Sequence, residues 1–209
     1  MTNDNEINIS DITAVILAGG RAKRMGGKDK GLIKVNNRLM IEFAIEQLLP
    51  QVGHLLINAN RNLEQYKILN HPVVSDDNIS DYNGPLAGML SALKACTTKY
   101  ILTIPCDSPF FPDNLSIRFL STLIESDADI CVAHDGNRMQ PVFALIKSEL
   151  TDSLQNYLDN GDRKIDLWYK KHHTVLADLS DFKDISLNIN TPEELLNLEQ
   201  KLTEYKNAC

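Results

Sequence analysis

The residues of this sequence best suited to chemistry lie between positions 17 and 30, where glycine and positive charge occur together. This glycine-rich segment is Leu-Ala-Gly-Gly-Arg-Ala-Lys-Arg-Met-Gly-Gly-Lys-Asp-Lys, with four glycines and five basic residues against one acid, Asp29. Glycine lets the backbone approach a ligand closely and adopt positive φ without steric cost, and successive exposed N–H groups form an anion-binding concavity. A solvated basic loop is the other interpretation, but so many glycines and cations together favour a site for a polyphosphate.

Asp107 is the second candidate, because it directly follows a predicted central strand. Residues 100–104, Tyr-Ile-Leu-Thr-Ile, are typical of a buried strand, and the chain continues as Pro-Cys-Asp-Ser-Pro. A carboxylate held between prolines is rigidly placed. Mg²⁺ prefers hard oxygen ligands and commonly takes only one or two protein carboxylates beside substrate phosphates. We therefore expect Asp107 to bind Mg²⁺, or Mn²⁺ in its place, with a turn or capping role as the alternative.

The elements that must position these groups alternate along the chain. Apolar runs typical of strands are followed by amphipathic stretches, which predicts an α/β fold with a largely parallel sheet. The first strand, at about Thr13–Leu17, leads directly into the glycine-rich segment. Ligands bind beyond the carboxyl ends of the strands in open sheets of this kind. The site is therefore expected at that edge of the sheet.

Further polar residues and glycines are predicted at the same edge. Asn58 lies near the end of the second predicted strand, where it could contact a ribose or a base or serve a turn. Asp77 belongs to an acidic cluster after the next strand. Gly84 and Pro85 begin a predicted helix whose N-terminal N–H groups could meet a ligand. Capping explains the proline but not Gly88 inside the helix.

The composition indicates a single acidic domain. The 209 residues are 43% hydrophobic and carry a formal net charge of −7. This acidity argues against a nucleic-acid partner and makes the glycine-rich segment a basic island that can attract an anion. We expect residues 1–10 to be a flexible tail and residues 11–209 to form one domain.

The sequence predicts neither a secreted nor a membrane protein. Residues 1–6, Met-Thr-Asn-Asp-Asn-Glu, are polar and acidic, unlike a signal peptide. No apolar run approaches transmembrane length. Cys96, Cys106, Cys131 and Cys209 lack the paired spacing of a zinc site or a disulfide framework. We therefore expect a cytoplasmic protein with no membrane partner.

The glycine-rich segment departs from the common phosphate-binding motifs. A Walker loop requires Gly, four residues and then Gly-Lys-Ser/Thr, but Ala22 stands at the first glycine position and Asp29 follows Lys28. The dinucleotide pattern G-x-G-x-x-G is absent as well. The segment instead resembles the L-A-G-G-x-x-x-R-M-G-x-x-K signature of nucleotidyltransferases with a Rossmann-like fold.

Three more motifs narrow this resemblance. They are Met-Gly-Gly-Lys-Asp-Lys-Gly at 25–31, Gly-Pro-Leu-Ala-Gly at 84–88 and Asn-Ile-Asn-Thr-Pro-Glu-Glu at 188–194, whereas Pro-Cys-Asp at 105–107 is shared by the wider superfamily. With them, the chain resembles the molybdenum cofactor guanylyltransferase family over residues 17–194. The resemblance implies a Rossmann-like three-layer α/β/α sandwich with a mostly parallel, mixed sheet, as in nucleotidyltransferases and GT-A-like proteins. It also implies a nucleotide half at about 11–110 and an acceptor half at about 111–209.

The implied reaction transfers GMP from GTP to the phosphate of molybdopterin carrying molybdenum. Pyrophosphate is released and a molybdopterin guanine dinucleotide is formed. The attacking phosphate oxygen is already an anion, so no general base is needed, and the site must neutralise charge and align the reactants. Arg24 and Lys30 would cradle the triphosphate, and Mg²⁺ on Asp107 would act as a Lewis acid.

Site residues follow from the motifs and the resemblance together. For catalysis we expect Arg24, Lys30 and Asp107. For the nucleotide and metal we expect Leu17, Ala18, Gly19, Gly20, Lys30, Asn58, Asp77, Gly84, Gly88 and Asp107, with Asp77 on either the guanine or the ribose. For the acceptor we expect Arg138, Gln140, Arg163, Asn188 and Asn190. Gln140 stands where the family commonly has a histidine, so an acid–base role is not expected there.

Other functions fit the same residues. A related nucleotidyltransferase could use CTP or a sugar phosphate instead. A non-catalytic nucleotide-binding module could carry the cofactor to molybdoenzymes. The resemblance also implies transient contacts with molybdoenzymes or their chaperones as protein partners.

Overall fold

The computed structural model describes residues 8–18, 29–76, 84–186, 193–196 and 198. The strands are β1 Ile12–Leu17, β2 Lys34–Val35, β3 Arg38–Leu39, β4 His54–Asn58, β5 Val73–Val74, β6 Tyr100–Pro105, β7 Ile130–His134, β8 Met139–Lys147 and β9 Thr174–Asp178. The α-helices are α1 Met40–Leu48, α2 Leu63–Lys67, α3 Pro85–Ala95, α4 Leu115–Glu125, α5 Thr151–Asp159 and α6 Ile165–Tyr169. Strands and helices alternate over most of the chain, as the apolar pattern predicts.

One mixed sheet organises the molecule. Across the described ranges it contains seven strands in the order β5-β4-β1-β6-β8-β7-β9. β8 runs antiparallel to both of its neighbours, β6 and β7, and the other pairs are parallel. The short strands β2 and β3 form a separate antiparallel ribbon. The prediction of a mostly parallel, mixed sheet is therefore confirmed.

Helices cover both faces of this sheet. Successive strand residues point to opposite faces, and β1 shows the division: Ala14 and Ile16 lie in one core cluster with α1 and α4, while Val15 lies in another with α3, α5 and α6. The largest buried side chains include Trp168 and Phe119, one in each cluster. The predicted three-layer α/β/α sandwich is confirmed.

Local signals explain the helix at the site edge. Gly84 precedes α3 with φ of 70°, a conformation that favours glycine, and Pro85 follows at the first helical position. The helix runs to Ala95, and its buried side includes Leu86, Met89 and Leu93. Glycine and proline together therefore fix where α3 begins at the carboxyl edge of the sheet.

The chain before β1 is tied to the sheet from Asn8 onward. The Asn8 side chain caps a 3-10 turn at Ile9–Asp11, and the Gly53 N–H donates to the Ile9 carbonyl at 2.9 Å. Residues 1–7 of the predicted tail lie outside the described residues. No helix in the described parts of the chain has both the length and the apolarity needed to cross a membrane.

Candidate active site

The candidate site lies where β1, β4 and β6 end together. In the parallel pairing Leu17 is opposite Asn58 on one side and Pro105 on the other. Asp107 follows two residues after Pro105, in the turn that leaves β6. The structure therefore brings the start of the glycine-rich segment, Asn58 and Asp107 to one edge of the sheet, as parallel strands require.

Lys30 and Asp107 are in direct contact. The Lys30 ammonium donates to Asp107 Oδ2 at 2.6 Å, and the two side chains are 19% and 16% exposed. Lys30 begins a 3-10 turn, Lys30–Leu32, at the end of the glycine-rich segment. Two residues predicted from separate motifs thus form one charged pair that remains partly open to ligand.

A buried carboxylate, that of Asp29, lies next to Lys30 and is not among the site residues predicted from the sequence. The Asp29 side chain is only 3% exposed and lies 3.4 Å from Arg61 Nε. Tyr66 Oη donates to Asp29 Oδ1 at 2.6 Å, and Asn62 Nδ2 donates to Oδ2 at 3.0 Å. Burial is the main cause that raises the pKa of the Tyr66 phenol, so the hydroxyl keeps its proton and acts as donor. The feature of the sequence that could have indicated this role is that Asp29 is the single acid within a basic segment.

Asp76 connects the ends of β4 and β5. Its Oδ1 accepts from Asn58 Nδ2 at 2.9 Å and its Oδ2 from Asn60 Nδ2 at 2.7 Å, while its own N–H donates to Asn60 Oδ1 at 2.8 Å. Ser91 Oγ in α3 also donates to Oδ1 at 3.3 Å. The acidic cluster after β5 predicts the adjacent acid, Asp77, as the site residue and does not distinguish Asp76. The structure shows that Asp76 orients the Asn58 amide.

Gly88 has a packing role in α3. A Cβ added there would collide with Asn58 Oδ1 and would lie 3.0 Å from Leu17 Cδ2. The missing side chain therefore lets α3 lie directly against the ends of β1 and β4. A Cβ added at Gly84 would meet no atom within 4 Å. Nucleotide contact at either glycine stays a prediction.

The backbone at the end of β1 is already engaged. The Ala18 N–H donates to the Asn58 carbonyl at 2.8 Å, and the Leu17 carbonyl accepts from the Cys106 N–H at 3.2 Å. A base contact from these two residues would therefore use another group, such as the Ala18 carbonyl. The predicted residues Gly19, Gly20, Arg24, Asp77, Asn188 and Asn190 lie outside the described residues.

Two of the predicted acceptor residues belong to the β7–β8 hairpin. Gln140 is buried and donates through Nε2 to Asp135 Oδ2 at 2.6 Å. Asp135 Oδ1 also accepts from the Asn137 and Arg138 N–H groups, both at 2.8 Å. These hydrogen bonds, that from Arg138 first, lower the pKa of Asp135 to about 2. The Arg138 side chain is exposed at the tip of this ordered turn.

Arg163 has a structural role of its own. Its Nη1 donates to the carbonyls of Leu158 and Asp162, both at 2.6 Å, at the carboxyl end of α5. A cation placed there satisfies helix carbonyls and complements the helix dipole. These contacts cap the end of α5, and contact between Arg163 and an acceptor substrate stays a prediction.

The residues at this edge fit a magnesium ion bound together with substrate phosphates. Of the described residues, no three histidine, cysteine, aspartate or glutamate side chains come together in a cluster able to hold a metal ion. A lone carboxylate such as Asp107 would be too weak for an all-protein metal cage. One protein carboxylate is, however, what is expected where substrate oxygens and water complete the coordination of Mg²⁺.

These features define a class of protein. An α/β/α sandwich, with a lysine–carboxylate pair at the carboxyl edge of its sheet beside a glycine-rich basic segment, is the arrangement of a nucleotidyltransferase. Solved structures share this fold. Molybdopterin-guanine dinucleotide biosynthesis protein A from Archaeoglobus fulgidus superposes with a TM-score of 0.76 at 20% identity, covering 92% of this chain and 99% of that one. The 4-diphosphocytidyl-2C-methyl-D-erythritol synthase from Anaerococcus prevotii gives 0.72 at 13% identity, covering 93% and 96%.

Sequence similarity places the chain within this class. The chain belongs to the MobA-like NTP transferase family, whose model matches residues 14–175. The molybdenum cofactor guanylyltransferase of Shewanella halifaxensis is 48% identical over 198 residues, 95% of this chain and 98% of that protein. The protein of the same name from Shewanella sediminis is 49% identical over 193 residues, 92% and 98%. The predictions of fold, family and enzyme class are confirmed.

Proposed function

We propose that this protein transfers GMP from GTP to the phosphate of molybdenum-bearing molybdopterin and forms molybdopterin guanine dinucleotide. The observation that carries the proposal is the Lys30–Asp107 pair at the carboxyl edge of the sheet, with 2.6 Å between Nζ and Oδ2. Near full-length similarity to proteins named molybdenum cofactor guanylyltransferase supports the choice of substrates.

In the proposed reaction an oxygen of the molybdopterin phosphate attacks the α-phosphorus of GTP. The bond from that phosphorus to the bridging oxygen of the β-phosphate breaks, and pyrophosphate leaves with the electron pair. The nucleophile is already an anion, so no side chain has to remove a proton. The protein must align two anions and neutralise their charge, which preorganised cations do efficiently in a water-poor site.

Lys30 and Arg24 supply this positive charge in the proposal. The Lys30 ammonium is held in place by Asp107, and an ammonium has three donors, so the same group can reach a phosphate oxygen. Arg24 belongs to the same segment and would bind the triphosphate or the leaving pyrophosphate. The backbone of Gly19 and Gly20 would approach the phosphates as glycine allows.

Asp107 would hold Mg²⁺, or Mn²⁺ in its place. The bound ion would supply Lewis-acid stabilisation of charge on the triphosphate oxygens. The protein would present one oxygen of the Asp107 carboxylate at the sheet edge. Lys30 and the turn that follows β6 fix the position of this carboxylate.

Guanine selection is assigned to the ends of β4 and β5. Asp76 orients the Asn58 amide, and Asp77 would accept the guanine N1 and N2 hydrogens or bind the ribose. A site built to hydrogen-bond a substrate group strongly rejects analogues that lack it. Selectivity for guanine over cytosine is therefore physically reasonable.

The acceptor is assigned to the opposite side of the sheet edge. Gln140 and Arg138 on the β7–β8 hairpin would contact the pterin and its phosphate, together with Asn188, Asn190 and Arg163. Molybdoenzymes or their chaperones would receive the product. We place the reaction in the cytoplasm, which the free thiols of Cys96, Cys106 and Cys131 support.

A panel of the four nucleoside triphosphates tests the proposal. Pyrophosphate release would be measured with Mg²⁺ in three arms: without acceptor, with molybdenum-bearing molybdopterin and with a sugar phosphate. We expect release only with GTP and the molybdopterin acceptor together. Release with CTP would identify a cytidylyl transferase, release with a sugar phosphate as acceptor would identify another branch, and GTP binding without release would identify a carrier module.

A further inference from the structure

The chain on both sides of Lys30 is held by one tyrosine of α2. Tyr66 is fully buried, and its hydroxyl donates to the carboxylate of Asp29, the residue before Lys30. The same hydroxyl oxygen would lie 2.7 Å from a Cβ added to Gly31, the residue after Lys30. The backbone of residues 29–31 therefore passes so close to Tyr66 that its position depends on that side chain.

Burial of the Asp29 carboxylate has a cost in desolvation free energy. Its side chain is 3% exposed, and it is satisfied by Tyr66, Asn62 and the nearby Arg61. Replacing a buried polar or ionic group by well-packed apolar side chains is often neutral or stabilising. A contribution to stability is therefore a weak explanation for a charged group at this position. The location of Asp29 next to Lys30 points more strongly to a role at the site.

We propose that Tyr66 and Asp29 act as a positioning pair that aims the Lys30 ammonium at the triphosphate site. Asp29 is the second-last residue of the glycine-rich segment, and its carbonyl accepts from the Leu32 N–H at 3.1 Å in the 3-10 turn that Lys30 begins. The turn directs the side chain so that Nζ lies 2.6 Å from Asp107 Oδ2. Tyr66 and Asp29 touch no reacting atom and act only through Lys30. The inference rests on the proposed function, in which Lys30 binds the triphosphate.

A double-mutant cycle separates positioning from general stability. Tyr66→Phe keeps the ring and removes only the hydroxyl, and it would be made in the wild-type and in the Lys30→Ala background. We expect Tyr66→Phe to lower kcat/KM for GTP by about ten- to a hundredfold in the wild-type background, because small misplacements of an aligned group have costs of that order. In the Lys30→Ala background we expect less than about a threefold change, since coupled residues are not additive.

Tyr157→Phe is the matched control. Tyr157 is a buried tyrosine in α5 whose hydroxyl donates to the Lys164 carbonyl at 2.9 Å. This variant also loses one hydrogen bond from a buried phenol, so its melting temperature should fall as well. Its kcat/KM should stay within about twofold of wild type. Gly31→Ala is the second variant, because its methyl group would displace the Tyr66 hydroxyl and should cause the same Lys30-dependent loss.

The same cycle would be measured on the dissociation constant for GTP by calorimetry. This binding readout tests the positioning pair even if the wild-type protein releases no pyrophosphate, an outcome that would overturn the proposed reaction alone. If Tyr66→Phe reduced binding and turnover equally in both backgrounds, or no more than Tyr157→Phe does, Tyr66 would be merely structural. The positioning proposal would then be wrong, with the proposed reaction unaffected.

Discussion

The contact between Lys30 and Asp107 places a cation and an anion side by side where the triphosphate is proposed to bind. Charge-assisted hydrogen bonds of this kind are short and directional, and the low exposure of both side chains, 19% and 16%, strengthens them. Asp107 therefore keeps one orientation before any ligand arrives. When the triphosphate binds with its metal ion, the Lys30 ammonium would contact both a phosphate oxygen and the Asp107 carboxylate, which is already in place.

The first prediction concerns these two side chains. Asp107→Ala should nearly abolish pyrophosphate release from GTP, because the metal would lose its protein ligand. Lys30→Ala should lower the rate by about 10²–10³-fold, the usual effect of one lost electrostatic donor. His54→Ala is the control, because His54 is exposed at the amino end of β4, far along the strand from the site edge. A rate near wild type for Asp107→Ala would remove this residue from the mechanism.

The second prediction concerns the cysteine beside Asp107. Burial is the main cause that raises the pKa of the Cys106 thiol, with the Asp107 charge second, and burial raises that of Cys131 to about 12. A raised thiol pKa leaves almost no thiolate at pH 8, and thiolate is the reactive form. A short iodoacetamide pulse read by peptide mass spectrometry should therefore modify half-buried Cys96 well before Cys106 or Cys131. Equal labelling of Cys106 and Cys96 in the folded protein would contradict this, and labelling in denaturant is the control.

At the scale of elements, local signals predict well where they act within a few residues. α3 is predicted from Pro85 to about Ala95 and is observed at Pro85–Ala95, because glycine and proline fix its start. Pro112 and Asp113 predict a helix start, but α4 begins at Leu115, because residues 112–114 form a turn in which the Leu115 N–H donates to the Pro112 carbonyl. The run Leu-Leu-Ile-Asn-Ala-Asn at 55–60 predicts a second strand that extends to Asn60, whereas β4 ends at Asn58. Asn60 instead pairs with Asp76, which lies 16 residues away in sequence.

The third prediction tests how closely α3 must approach the sheet. Gly88→Ala would force a methyl group against Asn58 Oδ1. Overpacking commonly costs about 1–3 kcal/mol, and the higher helix propensity of alanine returns about 1 kcal/mol of that. The Asn58 amide should move away from Asp76, so we expect GTP binding to weaken about tenfold, the equivalent of about 1.4 kcal/mol. Calorimetric titration with GTP and denaturant unfolding of the same variant measure both effects.

A control separates affinity from stability in that experiment. Leu123→Val, in α4 on the other side of the sheet, removes one buried methylene and costs about 1 kcal/mol. It should reduce the stability by an amount similar to Gly88→Ala and leave the GTP affinity unchanged. If both variants bound GTP as tightly as wild type, the contact between Gly88 and Asn58 would have no part in nucleotide binding.

At the scale of the whole molecule, long-range pairing is what the sequence alone does not determine. The glycine-rich segment, Asp107 and the edge of the sheet could be predicted, since a motif and the geometry of parallel strands suffice. The reversed strand β8 between β6 and β7 could not be derived from local periodicity, because an apolar run does not encode its partner. The Tyr66–Asp29 contact spans 37 positions, and neither residue type indicates the other. Side-chain partners of this kind depend on the assembled fold.

The sheet order also bears on the predicted division into a nucleotide half and an acceptor half. β1, β4, β5 and β6 belong to the first half, β7, β8 and β9 to the second, and the pairing of β6 with β8 joins them in one sheet. Both core clusters contain side chains from both halves, such as Ile16 with Phe119 and Val15 with Trp168. Neither half can therefore bury its apolar surface without the other.

The fourth prediction follows from this shared sheet: the two halves should unfold together. Thermal unfolding should show one transition by both circular dichroism and the fluorescence of Trp168, which lies in the acceptor half.

GTP with Mg²⁺ at 100 times its dissociation constant should add about 2.7 kcal/mol to the stability. For a chain of 209 residues this shifts the melting temperature by about 5–10 °C. Both probes should move together, because a ligand bound at the edge of the common sheet stabilises the whole of it. Two separate transitions, with GTP raising the temperature of only one of them, would show that the halves are independent domains. CTP at the same concentration is the control for nonspecific stabilisation.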